Sequence, residues 1–424
     1  MDLGEICELI VDCEHKTAPT QETGYPSIRT PNIGRGRFIL EGVNRVSEET
    51  YQLWTRRAMP QPGDLIMARE APVGNVAMIP PGLQACLGQR TLLIRPDRSK
   101  VEPSFLNYFL NGPHVQGLIH AKTNGATVAH LNMKDVRTMD LPELPPLPVQ
   151  RRIAGILSAY DELMENSQRR IRILEAMARA LYREWFVHFR FPGHEKHPRV
   201  ASPLGDIPKG WEAIPFENLL ASMTGGDWGS EQPDDGNTAE VGIVRGTDFD
   251  EVAYGGKLRV PMRYIKPSSL KSRGLRSGDV IIENSINAKS RCIGTTLLVD
   301  RHVLNRLGRD AVAASFCKVF RLHDPRLAPL VHLRVRHLRE DARMEYYQNV
   351  AANGIGNFQA QKFAKEEHLV LPSDEAMRAK LIERIAAMFQ SVGVLASQMS
   401  NLRRTRDLLL PRLLSGELAL SVPS

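Results

Sequence analysis

Short apolar runs bounded by turn residues alternate along this chain with two long stretches whose apolar positions recur at steps of four and three. Leu65-Ile66-Met67, Thr91-Leu92-Leu93-Ile94, Val280-Ile281-Ile282 and Thr296-Leu297-Leu298-Val299 read as strands. Turns rich in Gly and Pro separate them, as at Pro60-Gln61-Pro62-Gly63 and Pro80-Pro81-Gly82. The pattern predicts a helical stretch near Pro103 to Leu118, matched by one from Pro325 to Val350. Each series of short elements closes on a proline-marked stop, Leu141-Pro142 or Leu371-Pro372.

The long stretches follow those stops. Ile153, Leu157, Tyr160, Met164, Ser167, Ile171, Leu174, Ala178, Leu181 and Trp185 form one seam. Leu381, Ile385, Met388, Val392, Leu395, Met399, Leu402, Arg406 and Leu409 form the other. Both have the a/d spacing of a coiled coil. A helix of about 37 residues is roughly 55 Å long and can act as a ruler. Two equal seams most simply bury each other, and the polar Ser167 and Arg406 are candidates for fixing their register.

The chain is also written twice. Leu3-Gly4-Glu5-Ile6 matches Phe216-Glu217-Asn218-Leu219, and Ile28-Arg29-Thr30 matches Val244-Arg245-Gly246. Gly63-Asp64-Leu65 matches Gly278-Asp279-Val280, Asn124-Gly125 matches Asn353-Gly354, and Leu141-Pro142 matches Leu371-Pro372. The offsets are 213, 216, 215, 229 and 230, which places an insertion of about 14 residues between Ile282 and Asn353. The expected fold class is α+β: two repeated mixed α/β domains joined by two long helices that form an antiparallel coiled coil, as twofold pairing of the copies requires. The expected boundaries are 1–145 and 213–372 for the domains, 146–190 for the central helix, 191–212 for a Pro/Gly/His-rich linker, and 373–424 for the C-terminal helix and tail.

Composition narrows the class. Lys plus Arg number 55 against 48 Asp plus Glu, a net +7 that suits a polyanionic partner without demanding one. Five scattered cysteines without a CxxC argue against a disulfide framework or structural zinc, and Cys7, Cys13 and His15 read as ordinary strand and loop residues. A chain without an apolar leader or an 18-residue apolar run is expected to be cytoplasmic, with no membrane partner.

Four motifs resemble one family. Leu144-Pro145-Pro146-Leu147-Pro148-Val149-Gln150-Arg151-Arg152-Ile153 is similar to the start of the central helix of type I restriction-modification specificity subunits. The run from Leu174 to Phe186 resembles the end of that helix, and Pro203-Leu204-Gly205-Asp206-Ile207-Pro208-Lys209-Gly210-Trp211 resembles the approach to the second target-recognition domain. Leu409-Leu410-Pro411-Arg412-Leu413-Leu414-Ser415-Gly416-Glu417-Leu418 resembles the C-terminal signature. The segment from Ser373 to Lys380 departs from the proline-rich pattern at the start of the second helix. The resemblance implies a non-catalytic subunit that reads a bipartite site in double-stranded DNA. It also implies two methyltransferase subunits and motor-nuclease subunits as partners, with S-adenosylmethionine, ATP and Mg on those partners and no cofactor in this chain.

Reading DNA needs cations for phosphates and polar side chains for base edges. The candidates in the first copy are His15, Lys16, Arg29, Thr30, Asn32, Arg35, Arg37, Arg69, Gln89 and Arg90. Those in the second are Arg245, Thr247, Asn284, Ser285, Asn287, Lys289 and Arg291. The chain lacks the NPP[YF] motif of an amino-methyltransferase and the phosphate loop of a motor. Pro96-Asp97-Arg98-Ser99-Lys100 reads as a turn and not as a nuclease core. The competing class is a coiled-coil adaptor with two protein-binding modules, which the repeat and helices alone do not exclude.

Overall fold

The computed structural model describes residues 1–123, 130–202, 204–284, 293–350, 356–418 and 420. The chain forms two compact units, residues 1–162 with 404–424, and residues 163–403.

In the first unit the strands are β1 (Cys7–Asp12), β2 (Tyr25–Ile28), β3 (Arg45–Val46), β4 (Leu65–Ala68), β5 (Val76–Met78), β6 (Cys86–Leu87) and β7 (Thr91–Pro96). The helices are α1 (Glu48–Thr55), α2 (Pro103–Asn111), α3 (Pro113–Ala121), α4 (Met133–Arg137) and the first part of α5 (Leu147–Tyr182). An antiparallel sheet of order β1-β7-β4-β5 packs against a small mixed sheet of order β3-β2-β6. Leu65, Met67, Leu92 and Ile94 join the core beneath α2 and α3, whereas Ile66, Ala68 and Leu93 join the core with Ile28 and Leu87. Successive side chains thus point to opposite faces, and because both faces are covered the runs read as continuously apolar.

The second unit adds β8 (Arg199–Ser202), β9 (Gly205–Pro208), β10 (Trp211–Pro215), α6 (Phe216–Leu219), β11 (Leu220–Gly225), β12 (Ala239–Val244), α7 (Phe249–Ala253), β13 (Met262–Ile265), α8 (Pro267–Arg273), β14 (Val280–Glu283) and β15 (Thr296–Leu298). It continues with α9 (Arg301–Leu307), β16 (Ala311–Ala313), β17 (Cys317–Leu322), α10 (Ala328–Glu340), β18 (Gln348–Val350), β19 (Gly356–Phe358), α11 (Ala360–Glu366), β20 (His368–Pro372) and most of α12 (Glu375–Leu414). Its sheets run β11-β17-β14-β15 and β13-β12-β16, the same orders as in the first unit. The register irregularity between Cys7 and Leu9 recurs between Leu220 and Ser222. The fold is α+β and duplicated, as the sequence repeats predict.

One ion pair is duplicated with it. Asp64 takes a two-pronged bond from Arg95, Nε at 2.9 Å and Nη2 at 2.7 Å, while its Oδ2 caps the Gln61 amide. Asp279 takes the same bonds from Arg321, at 2.8 and 2.7 Å, and caps the Arg276 amide. The glycine before each aspartate turns the chain at φ +94° and +95°, a region only glycine enters without strain. Hydrogen bonding to the aspartate pushes both arginines above their ordinary pKa.

The long helices pair antiparallel inside each unit. In the first, Ile153 and Leu157 of α5 share a core with Leu413 of α12, flanked by Leu409 and Leu410. Arg406 reaches Asp161 at 2.6 Å, and Tyr108 donates to the other oxygen of Asp161 at 2.6 Å. Arg406 therefore spans the seam, whereas Ser167 bonds the Leu163 carbonyl of its own helix. In the second unit Ile171 packs with Val392, Leu395, Ala396 and Met399, and further along α5 Ala178, Tyr182 and Trp185 share a core with Leu381, Ile382 and Ile385. Met164 is buried, while Tyr160, Leu174, Met388 and Leu402 are half-buried.

The structure corrects two expectations and narrows a third. Leu181 is only half-buried and Tyr182 takes the inward position, because a straight helix drifts against a heptad repeat. The segment 191–212 is not a bare linker. Phe191 stacks on Trp211 at 4.8 Å, and β8 pairs with β9 as a hairpin. The insertion falls inside the interval from Ile282 to Asn353 that the repeats mark, between β14 and β17. The offset grows from 215 at Leu65 and Val280 to 226 at Thr91 and Cys317, the interval that holds α9. α12 starts without prolines because Asp374 caps the Met377 amide at 2.6 Å.

Candidate nucleic-acid interface

At the end of the central strands away from the Asp64–Arg95 pair, the backbone builds a frame in the first unit. The Arg69 amide donates to the Arg90 carbonyl at 2.9 Å, the Leu131 amide to the Arg69 carbonyl at 3.0 Å, and the Cys13 amide to the Thr91 carbonyl at 3.2 Å. These bonds gather residues distant in sequence around a cleft of about 390 Å³ lined by His15, Arg69, Glu70, Gln89, Arg90 and His130.

Arg69 holds the cleft together. It is 6% exposed, and its Nη1 lies 2.6 Å from Asp12 Oδ2. Its Nε donates to the Leu131 carbonyl at 2.9 Å, and its Nη2 lies 3.0 Å from His130 Nε2. His130 Nδ1 sits 3.2 Å from Glu70, which also pairs with Arg90. Burial, then the positive charges of Arg69 and Arg90, push the His130 imidazole below its ordinary pKa, so the ring is held neutral. His15 lies 3.2 Å from Asp12, and its carbonyl accepts from Gln89 at 3.4 Å. Asp12, Cys13 and His15 bring one ligand atom each within 4.8 Å. Arg69 already occupies the Asp12 carboxylate and burial raises the Cys13 thiol, and both oppose a cation.

Of the residues singled out in the first copy, the structure brings His15, Arg69, Gln89 and Arg90 together. Lys16 is exposed on the same loop as His15. Arg29 is exposed, and its Cγ rests on the next strand end at Gly88, where an added Cβ would meet it at 2.5 Å. Asn32 closes the following turn, accepting from the Arg29 amide and donating to the Ile39 carbonyl, with Thr30 half-buried within that turn. Arg35 and Arg37 are exposed on a separate loop that pairs with β5 through Gly36 and Ala77. Glu70 and His130 were missed. Glu70 is adjacent to a flagged arginine, but nothing in the sequence near His130 connects it to Arg69.

The second unit repeats the frame bond for bond. The Asn284 amide donates to the Phe316 carbonyl at 2.8 Å, the Phe358 amide to the Asn284 carbonyl at 3.0 Å, and the Gly226 amide to the Cys317 carbonyl at 3.1 Å. Arg245 occupies the place of Arg29, but Asp248 engages its fork at 2.8 Å from both Nε and Nη2. Thr247 is exposed. Asn284 is half-buried, and its Oδ1 has no hydrogen-bond partner among the described residues. Ser285, Asn287, Lys289 and Arg291 lie outside the described residues.

Residues 1–176 match the family model described as the type I restriction modification DNA specificity domain. The chain is 26% identical over 188 residues to the type I restriction enzyme MjaIX specificity subunit of Methanocaldococcus jannaschii, covering 44% of this chain and 42% of that one. It is 25% identical over 222 residues to the putative type I restriction enzyme MjaX specificity subunit of the same organism, covering 51% of each. The matched region thus spans about half the length of these curated relatives or less. The crystal structure of a type I restriction-modification S subunit from M. genitalium has the same fold, with a TM-score of 0.60 at 15% identity over 97% of this chain and 95% of that one. Over residues 1–176 the chain is thus similar to the type I restriction modification DNA specificity domain, and its duplicated sheets and paired helices have the fold of the M. genitalium S subunit.

Proposed function

We propose that this chain is the DNA-reading subunit of a type I restriction-modification complex, recognising a bipartite site in double-stranded DNA and directing adenine methylation or cleavage by its partners. The observation that carries this reading is the same backbone frame built twice, each time at the loop end of an identically ordered sheet. Side chains on the two frames differ, as two unlike half-sites require. On this reading the domains are 1–145 and 213–372, and the paired helices serve as scaffold and ruler. Two methyltransferase subunits dock on the helices and motor-nuclease subunits join them, with S-adenosylmethionine, ATP and Mg residing on those partners. The chain itself contributes no chemistry and acts in the cytoplasm. Among the described residues no helix is long and apolar enough to cross a membrane.

In the first unit Lys16, Arg29, Arg35 and Arg37 supply phosphate contacts, and Gln89 and Arg90 face base edges, with Arg forking to guanine and Gln to adenine. Methylome sequencing of cells with and without this gene tests the reading. Loss of adenine methylation at one split motif is the expected result. If the partners co-purify with the chain yet no split motif changes, the adaptor reading replaces it.

A further inference from the structure

The duplicated frame allows a position-by-position comparison that sequence offsets alone do not. Phe316 receives the Asn284 amide as Arg90 receives the Arg69 amide, so Phe316 stands at the place of Arg90. Trp228 follows Gly226 by two residues, as His15 follows Cys13, so Trp228 stands at the place of His15. The second frame therefore presents aromatic rings where the first presents a guanidinium and an imidazole. Phe316 is 65% exposed and Trp228 39%. Trp228 is braced from behind, with the Arg263 guanidinium 5.2 Å from its ring, and Arg263 is itself held by Glu231 at 2.7 Å. Asp227, just before Trp228, bridges to Ala314 and so ties this loop to the turn that carries Phe316.

An exposed Phe at a strand-end turn neither packs a core nor bonds a phosphate. In a groove of DNA its partner is apolar, and the C5-methyl group of thymine is the apolar feature of the major-groove edge.

We infer that the two half-sites are read by different chemistry, the second through contact of Phe316 on a thymine methyl group. This rests on the DNA-reading function proposed above. The experiment uses the full chain assembled with its methyltransferase subunits, on duplexes carrying the split motif found by methylome sequencing. Replacing each thymine of the motif by uracil in turn removes one methyl group and leaves base pairing intact. For the wild-type complex, one thymine-to-uracil change in one half-site is expected to slow methylation about 5-fold or more, within the range of a single mismatch. Phe316→Ala is expected to abolish that sensitivity and to relax the base requirement at that position. Arg90→Ala is expected to relax the other half-site only. Both side chains are exposed, so the variants should assemble like the wild type, checked by co-purification. Indifference of the wild type to every uracil overturns the inference, as does Phe316→Ala leaving uracil sensitivity intact or both variants relaxing the same half-site. A wild-type complex that methylates no split motif refutes the function itself and is thereby told apart.

Discussion

Arg69 separates two roles that sequence alone leaves merged, reading a base and holding the site. In Arg69→Ala the Asp12 carboxylate keeps the Cys13 amide and His15 beside it but loses its arginine, and the Leu131 carbonyl loses a charged donor. Breaking a buried ion pair from one side costs about 3–5 kcal/mol. The Arg69 and Asp12 side chains are 8% and 17% exposed, so water and His15 compensate in part and the lower figure, about 3 kcal/mol, applies. That corresponds to roughly a 100-fold loss of protection against hydrogen exchange for amides whose exchange requires the frame to open. The peptides to follow contain the Arg69 and Leu131 amides, which close the frame. The His130 imidazole should also titrate higher, since one of the two cations that depress it is gone. Unchanged protection together with lost recognition of one half-site would refute the positioning role and make Arg69 a direct base reader.

Two further outcomes follow from buried charge in the second unit. His332 is fully enclosed, and burial, then Arg336, holds its imidazole well below 6.5. The unfolded chain therefore binds a proton that the folded one refuses. The stability this residue contributes is complete above about pH 6.5 and is lost as pH falls. At pH 5.5 the loss is on the order of 1 kcal/mol, and it should vanish from the pH dependence of urea denaturation in His332→Leu. Asp279→Ala strands Arg321 and the Arg276 amide around a site only 1% exposed, and should cost about 3–5 kcal/mol by urea denaturation. Adding Arg321→Met should recover part of that, and a single-variant loss below about 1 kcal/mol would contradict the assigned role.

The sequence displays what local physics dictates. Gly63-Asp64 and Gly278-Asp279 are visible because the turn needs glycine's backbone and the aspartate caps a neighbouring amide. The helical seams are visible because burial follows their period, until Tyr182 replaces Leu181 through accumulated drift. Asp97 was legible as a turn residue, and it does accept from the Ser99 amide at 2.9 Å. Contacts without a local pattern stayed hidden. His130 meets Arg69 across 61 positions, and Trp211 meets Phe191 across a stretch whose Pro, Gly and His content resembles a linker. Phe316 and Trp228 escaped notice for another reason. Aromatic rings carry neither the charge nor the amide that marks a DNA contact in sequence, and the matched backbone bonds alone place them where Arg90 and His15 stand.

The Asp–Arg clamps lie about five residues along their strands from the loop ends, roughly 17 Å at strand rise. Cohesion and reading are thus assigned to opposite tips of the same two strands. Residues 70, 89 and 90, or their counterparts, can be rewritten while Arg69 and the far tip keep the strands latched. A retargeting campaign should therefore randomise the loop tips and leave the Gly-Asp turns and their arginines alone.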